Sequence, residues 1–359
     1  MEKINRLREK FHELGVNGMM IVHPVNRLYM SGFTGSNGVL LITETEAKLI
    51  TDYRYFEQAQ NQAKNFEIVL HAGHTGHKGK IFEEVVVQAN EMKISKLGFE
   101  QEHLSYGLFS RNETLFSAEL VPTFEVVEKI RMIKTDDEIK KLRVAADITD
   151  KAYLHILNII RAGMSELDVA EELGAFIKKH GGTTTSFSPI VASGYRASLP
   201  HGRASGKIIE KGDMITIDFG ANYEGYWADI SRVVSIGEPA PELRNLHDIV
   251  LTSFENCVAQ LRPGLTDQEV DYLMRENIIK HGFNEQSGTG TGHGIGLEVH
   301  EAPLFSVLKD KVLEENMVIT VEPGVYLKGL GGARVEDVIL ITENGREVLT
   351  PSTKELVIL

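Results

Sequence analysis

Residues 142–182 read LRVAADITDKAYLHILNIIRAGMSELDVAEELGAFIKKHGG, and residues 243–283 read LRNLHDIVLTSFENCVAQLRPGLTDQEVDYLMRENIIKHGF. The two segments align without a gap at an offset of 101 residues and are identical at 11 of 41 positions. Each predicts a helix, a glycine turn and a second helix. Ser165 and Thr266 are predicted N-caps of the second helices, because a side-chain oxygen there accepts an otherwise unpaired backbone N–H. The second half of the chain is therefore predicted to be an internal duplication.

The similarity continues into the strands that follow each helix pair. Residues 213–220 (DMITIDFG) match 316–324 (NMVITVEPG), and residues 228–237 (ADISRVVSIG) match 335–345 (VEDVILITENG). Asp218 then corresponds to Glu322, and Asp229 corresponds to Glu336. Each copy is predicted to end in a β-hairpin with one acid on each strand. A pseudo-twofold arrangement of the copies would bring the four carboxylates together.

Four carboxylates in one place need cations. Any one of these acids alone would be expected at a hairpin end or facing solvent. At matched positions of a duplicated unit, however, the four acids would be brought together and buried. They would then repel one another and lose their hydration, and buried carboxylates therefore require positively charged partners. No basic run nearby offers four such partners, whereas divalent metal ions could supply the charge.

The segment SGTGTGHGIGLEVHE (287–301) adds two histidines to this picture. Its glycines fit no dinucleotide-binding G-x-G-x-x-G register. They are expected to let the backbone approach a ligand closely and to hold His293 on a constrained turn, with His300 on a short strand. His201, in the matching part of the first copy, is expected to flank the same cleft. One histidine with four carboxylates suits a pair of Mn, Co, Fe or Zn ions, and neutral His201 and His300 could hydrogen-bond a substrate and its oxyanion.

The first half of the chain alternates short apolar runs with helical patterns. Strands are predicted at 18–22, 38–42, 66–70 and 96–99, and helices at 53–64 and 80–92. This alternation predicts an α/β domain over residues 1–127. The charged segment 128–143 is predicted to be a helical linker that enters a second domain, 128–359.

Composition excludes several classes of protein. The 359 residues carry a formal net charge of −13, which argues against nucleic-acid binding, because that affinity depends on basic residues. No stretch approaches the ~20 apolar residues of a membrane span, and the first residues lack the apolar core of a signal peptide. Cys257 is the lone cysteine, so an intramolecular disulfide is excluded. A cytoplasmic protein is expected, with no nucleic-acid or membrane partner.

Other motifs favour structural roles. Three histidines in HAGHTGHKG (71–79) have metal-like spacing but no acidic or cysteine companion, so a surface loop is expected. Cys257 aligns with an apolar helical position and is expected to be a buried hydrophobe. The sequence contains no G-x-S-x-G or H-E-x-x-H motif, which argues against serine hydrolases and zincins.

The sequence resembles the creatinase and aminopeptidase P family of "pita-bread" metallopeptidases over essentially its whole length. The matching motifs are SGFTGSNGVLLI (31–42), TDYRYFEQA (51–59), ASLPHG (197–202), IDFGANYEGYWADISR (217–232), GHGIGLEVHE (292–301), TVEPGVY (320–326) and GGARVEDV (331–338). The last five occur in order at family-like spacing. The resemblance implies an α/β N-terminal domain followed by an α+β pita-bread catalytic domain with pseudo-twofold symmetry.

The resemblance also implies roles for individual residues. Its dinuclear metal ligands would be Asp218, Asp229, His293, Glu322 and Glu336, with manganese the most expected metal and Co, Zn or Fe as alternatives. Asp229 and Glu336 would bridge the metals, and Glu322 would also act as general base. His201 and His300 would contact the substrate and transition state, and Arg334 would lie beside the ligands.

The implied activity is hydrolysis of the peptide bond before proline, by an Xaa-Pro dipeptidase or an aminopeptidase P acting as a homodimer. The retained ligands argue against metal-free creatinase chemistry, and the leading domain argues against a methionine aminopeptidase. A broader aminopeptidase and a non-catalytic binding protein of the same fold remain alternatives. One departure is Thr289, which stands where many members have a histidine. Threonine has no imidazole, so a proton relay or proline contact made by that histidine does not carry over to this sequence.

Overall fold

The chain folds into two units, Met1–Arg131 and Met132–Leu359. The structure is a computed structural model that describes residues 1–71, 80–185, 187–288, 290–305 and 311–359. Most of the histidine-rich segment 71–79 and Thr289 lie outside the described residues, so the expectations for them stay predictions. The predicted domain boundary after residue 127 falls inside the helix Val126–Met132.

A mixed six-stranded sheet forms the centre of the first unit, in the order β4-β3-β2-β1-β5-β6. Its strands are β1 Gly18–Ile21, β2 Val39–Ile42, β3 Ala47–Thr51, β4 Glu67–Leu70, β5 Lys96–Glu100 and β6 Glu119–Thr123. Four of them match the predicted apolar runs. β3 and β6 were not predicted, because AKLIT and ELVPT place polar residues or proline among the apolar ones.

Seven helices are described in the first unit. They are α1 Glu2–Arg8, α2 Phe11–Leu14, α3 Pro24–Ser31, α4 Phe56–Gln62, α5 Lys80–Glu91, α6 Tyr106–Asn112 and α7 Val126–Met132, with a 3₁₀ turn at Glu113–Leu115. α4 and α5 confirm the two predicted helices, each shorter than its pattern. The first unit is thus an α/β domain, as predicted.

The segment 128–143 is helical, as predicted, but it belongs to two helices. α7 ends at Met132, and a new helix, α8 Asp136–Ile156, begins after three intervening residues. The break follows from capping, because the Thr135 side chain accepts from the Glu138 N–H, and the Glu138 side chain in turn accepts from the Thr135 N–H. This reciprocal cap starts a helix at a fixed residue and prevents a continuous one.

The second unit confirms the predicted duplication. Its helices are α8 Asp136–Ile156 and α9 Glu166–Lys179 in one copy, and α10 Pro241–Gln260 and α11 Asp267–Lys280 in the other. Ser165 and Thr266 are N-caps, each in a reciprocal cap with the third helical residue. The glycine turns match as well, since Gly163 and Gly264 both have φ of 91°.

Two larger sheets follow the helix pairs. One has the strand order β19-β11-β8-β7 and the other β13-β12-β14-β17-β18, and each copy also has a separate two-stranded hairpin, β9-β10 or β15-β16. The strands are β7 Ile190–Ser193, β8 Met214–Phe219, β9 Asn222–Tyr223, β10 Tyr226–Trp227, β11 Ile230–Ser235, β12 His293–Gly294, β13 Glu301–Leu304, β14 Val318–Val321, β15 Gly324–Leu327, β16 Gly331–Arg334, β17 Asp337–Thr342, β18 Gly345–Val348 and β19 Val357–Ile358. Short 3₁₀ turns lie at Gly194–Ser198 and Asn284–Gln286.

Each copy has its own apolar core. The core of the first copy contains Tyr153 of α8, Leu173 of α9 and Ile217 of β8. The core of the second copy contains Phe254 of α10 and Met274 of α11. Cys257 is fully buried in the second core, as predicted. Burial raises the pKa of its thiol to about 12, so it is inert. Among the described helices, none is long and apolar enough to cross a membrane.

The candidate active site

The four predicted acids lie at equivalent places in the two copies. Asp218 is in β8, and Asp229 immediately precedes β11, its antiparallel neighbour. Glu322 immediately follows β14, and Glu336 immediately precedes β17, again its antiparallel neighbour. The prediction of one acid on each hairpin strand is therefore imprecise, because only Asp218 lies within a strand. In both copies a small extra hairpin is inserted between the paired strands, which the alignment of apolar residues did not indicate.

All seven polar residues of the predicted metal and substrate sets, together with Arg334, line one cavity of about 270 Å³. Its walls are formed by Phe187, Ser188, Ile190, His201, Arg203, Asp218, Asp229, His293, His300, Glu322, Arg334 and Glu336. The acids lie deep in it: Asp218, Asp229 and Glu336 are buried, and the Glu322 side chain is 21% exposed. The cavity therefore joins residues of both copies.

The crowding of the acids changes their protonation. Burial, followed by the charges of Glu336 and Asp218, raises the pKa of Asp229 well above its usual range. Burial, with repulsion from Glu322 and Asp218, does the same for Glu336. For Glu322, burial raises the pKa to about 7, although the positive charge of Arg334 opposes the shift. Without additional cations, these carboxylates hold protons that they would lack in water.

Two observations show that the residues fit divalent cations. One carboxylate or imidazole atom each of Asp229, His293 and Glu336 lies within 4.8 Å of the others. The Oδ1 atoms of Asp218 and Asp229 are buried and accept no hydrogen bond from the described residues. Buried oxygens of this kind need a partner, and a divalent ion can be one. One imidazole and four carboxylates form a hard-to-borderline donor set of the type that Mn, Co, Fe and Zn accept.

His293 is held so that one ring nitrogen faces the acids. Its Nδ1 donates to the Gly294 carbonyl at 3.0 Å, since a carbonyl can only accept, and its backbone N–H donates to Thr320 Oγ1 at 3.2 Å. Nε2 then lies 3.4 Å from Glu322 Oε1. Burial lowers the pKa of His293, which favours a neutral imidazole with a lone pair on Nε2.

His293 lies in a strand, β12, so the predicted turn is wrong. The glycines around it serve the packing of backbones. A Cβ on Gly292 would lie 2.3 Å from the Thr320 carbonyl oxygen, and one on Gly294 would lie 2.2 Å from that of Ala302. Glycine is required at both positions because the neighbouring strands pass so close. The expected close approach therefore occurs between strands of the sheet.

The other two histidines lie at the exposed side of the cavity. His300 is in a bend directly before β13, whereas a strand was predicted there, and its ring centroid is 4.2 Å from that of His293. Burial and then the neighbouring His293 lower the pKa of His300, so its imidazole is neutral near pH 7. His201 is exposed in the loop before β8. Both side chains reach the cavity without being enclosed.

Arg334 connects several parts of the site. Its Nη2 donates to Asp218 Oδ2, and its Nη1 donates to the carbonyl of Pro200, next to His201, at 2.9 Å. Nη1 also donates to Tyr326 Oη at 2.6 Å, and Nε donates to Ser231 Oγ at 2.8 Å. Arg334 thereby offsets part of the negative charge and positions the loop that carries His201.

Several residues of the site were not predicted from the sequence. Ser231 links Arg334 to Glu336, Tyr326 accepts a hydrogen bond from Arg334, and Phe187, Ile190 and Arg203 line the cavity. Ser231 and Tyr326 lie in the quoted motifs, only two and four residues from Asp229 and Glu322. That proximity is the only signal in the sequence. Phe187, Ile190 and Arg203 belong to segments whose approach to the acids depends on the pairing of β7 with β8.

Comparison with known families agrees with the geometry. The model of metallopeptidase family M24 matches residues 140–343. This chain belongs to metallopeptidase family M24. The creatinase/prolidase N-terminal domain matches residues 3–133. Membership of the M24 family makes the chain a metal-dependent hydrolase and confirms the predicted duplicated α+β catalytic domain. The alternative of a non-catalytic binding protein is set aside.

Three M24 relatives are similar over their full lengths. The structure of an Xaa-Pro dipeptidase from Bacillus anthracis has 50% identity and a TM-score of 0.96, covering 100% of this chain and 99% of that one. The structure of an X-Pro aminopeptidase from Thermotoga maritima has 39% identity and a TM-score of 0.89, covering 98% and 100%. An Xaa-Pro dipeptidase from Pyrococcus furiosus is 36% identical, with 99% of each chain covered.

Proposed function

We propose that this protein hydrolyses the peptide bond before proline with two divalent metal ions. The observation that carries the proposal is the convergence of four carboxylates and His293 from both copies on one cavity, with two histidines at its exposed side. Burial and the neighbouring acids raise the pKa values of Asp229 and Glu336, since the ionised forms of these acids repel one another unless bound cations compensate the charge. The similarity to proteins named Xaa-Pro dipeptidase and X-Pro aminopeptidase supports the proline specificity.

Asp218, Asp229, His293, Glu322 and Glu336 would hold the two ions, with Asp229 and Glu336 between them. When bound, such ions polarise the peptide carbonyl and lower the pKa of the attacking water. Manganese is the metal we expect from the carboxylate-rich donor set, and Co, Zn or Fe also suit it. Ser231 Oγ donates to Glu336 Oε2 at 2.8 Å and would fix the orientation of that ligand.

Glu322 would move the proton. Its carboxyl is the most exposed of the four acids, and burial gives it a pKa of about 7 in the metal-free site. It can accept the proton of the attacking water and pass it to the proline nitrogen as the C–N bond breaks. The leaving nitrogen of a prolyl bond carries no hydrogen before cleavage, so it must receive a proton to leave as an amine.

His201 and His300 would bind the carbonyl oxygen as it becomes negatively charged. A neutral imidazole can donate one hydrogen bond, and the lowered pKa of His300 keeps that ring neutral near pH 7. Donors directed at a developing oxyanion act on the transition state more than on the substrate. Arg334 would be a positioning residue, because its charge is already engaged by Asp218.

The cavity wall offers a place for the proline residue. Phe187 and Ile190 are apolar lining residues, and Arg203 lines the cavity beside them. Ile190 and Arg203 face each other in an antiparallel bridge, so an apolar surface and a guanidinium lie next to one another. A C-terminal proline has this pattern, with a carboxylate attached to its ring. The exposed Arg203 therefore favours dipeptides over longer peptides as substrates.

The test compares release of the N-terminal residue from Ala-Pro, Ala-Pro-Ala and Ala-Ala-Ala by the purified protein. We expect the two prolyl peptides to be cleaved and Ala-Pro to be preferred. Equal cleavage of Ala-Ala-Ala would contradict the proline specificity and favour a broader aminopeptidase. Equal cleavage of Ala-Pro and Ala-Pro-Ala would contradict the preference for dipeptides while leaving the proline specificity intact.

We also propose that the protein is a cytoplasmic homodimer. The proposal is supported by the resemblance to pita-bread peptidases, and it includes no nucleic-acid partner, in keeping with the net charge of −13. Light scattering coupled to size-exclusion chromatography tests the dimer. A mass near the 40.0 kDa of one chain would contradict it.

A further inference from the structure

A second group of metal-binding side chains lies in the first unit, outside the proposed catalytic site. His23 directly precedes α3, His103 follows β5, and Glu128 is in α7. One ligand atom from each lies within 4.8 Å of the other two. All three side chains are partly exposed. The group thus joins three separate chain segments and is open to solvent.

The three side chains of this group already contact one another in the absence of an ion. The rings of His23 and His103 stack with centroids 3.7 Å apart and planes 14° from parallel. His103 Nε2 lies 2.9 Å from Glu128 Oε1. A neutral imidazole has a lone pair on one ring nitrogen, which a metal ion can accept.

Neighbouring residues hold Glu128 and His23 in place. Asn26 Nδ2 donates to Glu128 Oε1 at 2.6 Å and to Glu100 Oε1 at 2.7 Å, and Asn26 Oδ1 accepts from Arg131 at 2.9 Å. Glu100 Oε2 accepts from the His23 backbone N–H at 2.8 Å. Although burial acts to raise the pKa of Glu128, the hydrogen bonds from Asn26 and His103 lower it overall. Glu128 is thus an ionised carboxylate whose orientation is fixed by the hydrogen bond from Asn26, as is usual for carboxylates that bind metals.

We propose that His23, His103 and Glu128 bind one divalent transition-metal ion of the zinc class. Two imidazoles and one carboxylate are a frequent set for zinc with an open position, which the exposure of this group would leave to water. Binding replaces the hydrogen bond between His103 and Glu128 by bonds to the ion. It also tilts the stacked rings apart, since an ion lies near the plane of each imidazole that binds it. Rotation about the Cβ–Cγ bond of histidine is soft and permits this change.

Such an ion would stabilise the first unit. Residues 23, 103 and 128 belong to separate segments, and one ion would tie the start of α3 to the end of β5 and to α7. A ligand that binds only the folded state shifts unfolding in proportion to the logarithm of its concentration. The predicted role is structural, and it is independent of the proposed peptidase activity.

The test measures the number of zinc ions bound per chain. Its parent protein is the full-length double variant Asp229→Asn/Glu336→Gln, in which the proposed catalytic metal site is disabled. We expect one ion per chain at micromolar zinc, and its loss in His103→Gln and in His23→Gln. His155→Gln is the matched control, because His155 also lies 2.7 Å from a glutamate, Glu172, but stacks on a phenylalanine, Phe176, where His103 stacks on a histidine. That variant should bind zinc as its parent does.

Two outcomes would overturn the proposal. One is equal zinc binding by the parent and by both histidine variants. The other is zinc binding that does not raise the unfolding temperature of the parent, or that raises it equally in His103→Gln. If His103→Gln does not fold, His23→Gln decides by the same criteria. Because the background has no intact acid site, the result does not depend on whether the catalytic ions are as proposed.

Discussion

The Glu336 backbone N–H donates to the Ser231 carbonyl at 3.1 Å, and the Ser231 hydroxyl donates to Glu336 Oε2 at 2.8 Å. The two residues belong to different copies of the duplicated unit, so this pair of hydrogen bonds joins the copies beside the cavity. The geometry of the candidate site therefore depends on how firmly the two sheets are held together.

Arg232 connects the two sheets through buried hydrogen bonds. Its side chain is fully buried, and its Nη1 donates to the carbonyls of Ser231 and Glu336 at 3.1 and 2.5 Å, while Nη2 lies 2.6 Å from Asp337 Oδ1. Arg232→Met should lower the free energy of unfolding by about 3–5 kcal/mol, because it leaves a buried acid with fewer partners. Denaturant unfolding of the metal-loaded protein measures this loss.

Arg143→Met is the control for Arg232→Met. Arg143 also pairs with a glutamate, Glu347, but both side chains are more than 40% exposed. Loss of this surface pair should cost ~0–1 kcal/mol. Equal destabilisation by the two substitutions would contradict the assigned role of Arg232.

Glu322→Gln should fold and bind substrate but lose turnover by about 10²–10⁴-fold, since the amide cannot accept or return a proton. The comparison is Glu315→Gln, an exposed acid outside the cavity, which should leave kcat unchanged. Steady-state hydrolysis of Ala-Pro at saturating metal measures both. Turnover of Glu322→Gln within about twofold of the parent would contradict the role of Glu322 as the base.

Arg203→Met should raise KM for Ala-Pro by about tenfold or more, because a charge-assisted contact with the substrate carboxylate is lost. The same variant should cleave Ala-Pro-amide as the parent does, since that substrate has no carboxylate to bind. Arg203→Lys should recover part of the lost affinity. If the ratio of kcat/KM for the acid and the amide is unchanged in Arg203→Met, Arg203 does not select dipeptides.

His247 should make stability depend on pH. It is fully buried, with Nε2 donating to the Lys354 carbonyl at 3.1 Å, and burial lowers its pKa although Asp248 opposes the shift. Above about pH 6.5 both the folded and unfolded states are neutral at this residue. As the pH falls below that value the unfolded state takes up a proton first, so stability is lost, by at most about 1.4 kcal/mol per pH unit.

The measurement for His247 is the change in unfolding free energy between pH 7.5 and 5.5. The parent should lose more stability over this interval than His247→Gln, which keeps a donor for the Lys354 carbonyl. His281→Gln, at the exposed histidine that directly follows α11, should behave as the parent. Equal losses in the parent and in His247→Gln would show that His247 is protonated in the folded state.

Much of the fold follows from local signals in the sequence. The duplication is visible because Ser165 and Thr266 cap equivalent helices and because Gly163 and Gly264 occupy equivalent left-handed turns. The correspondence of Asp218 with Glu322 follows from the apolar strands before them. Such features are local, so a single sequence contains them.

The remaining features depend on contacts between distant segments. The break before α8 was not predicted within the helical segment 128–143, because it depends on one capping residue, Thr135. Arg203 was missed because only the bridge to Ile190 brings it to the cavity. The glycines around His293 were interpreted as a ligand loop, since sequence alone does not reveal how close the neighbouring strand carbonyls come. The assigned roles of the acids and histidines stay predictions.

The most direct measurement titrates metal-stripped protein with Mn²⁺. It records two quantities, the number of ions bound per chain and the amount of proline released from Ala-Pro. The ions that count are those absent from the Asp229→Asn/Glu336→Gln variant. We predict that the stripped protein is inactive and that proline release rises to its maximum as two such ions bind. Full proline release by protein free of metal, or none at any metal load with Mn, Co or Zn, would contradict the account.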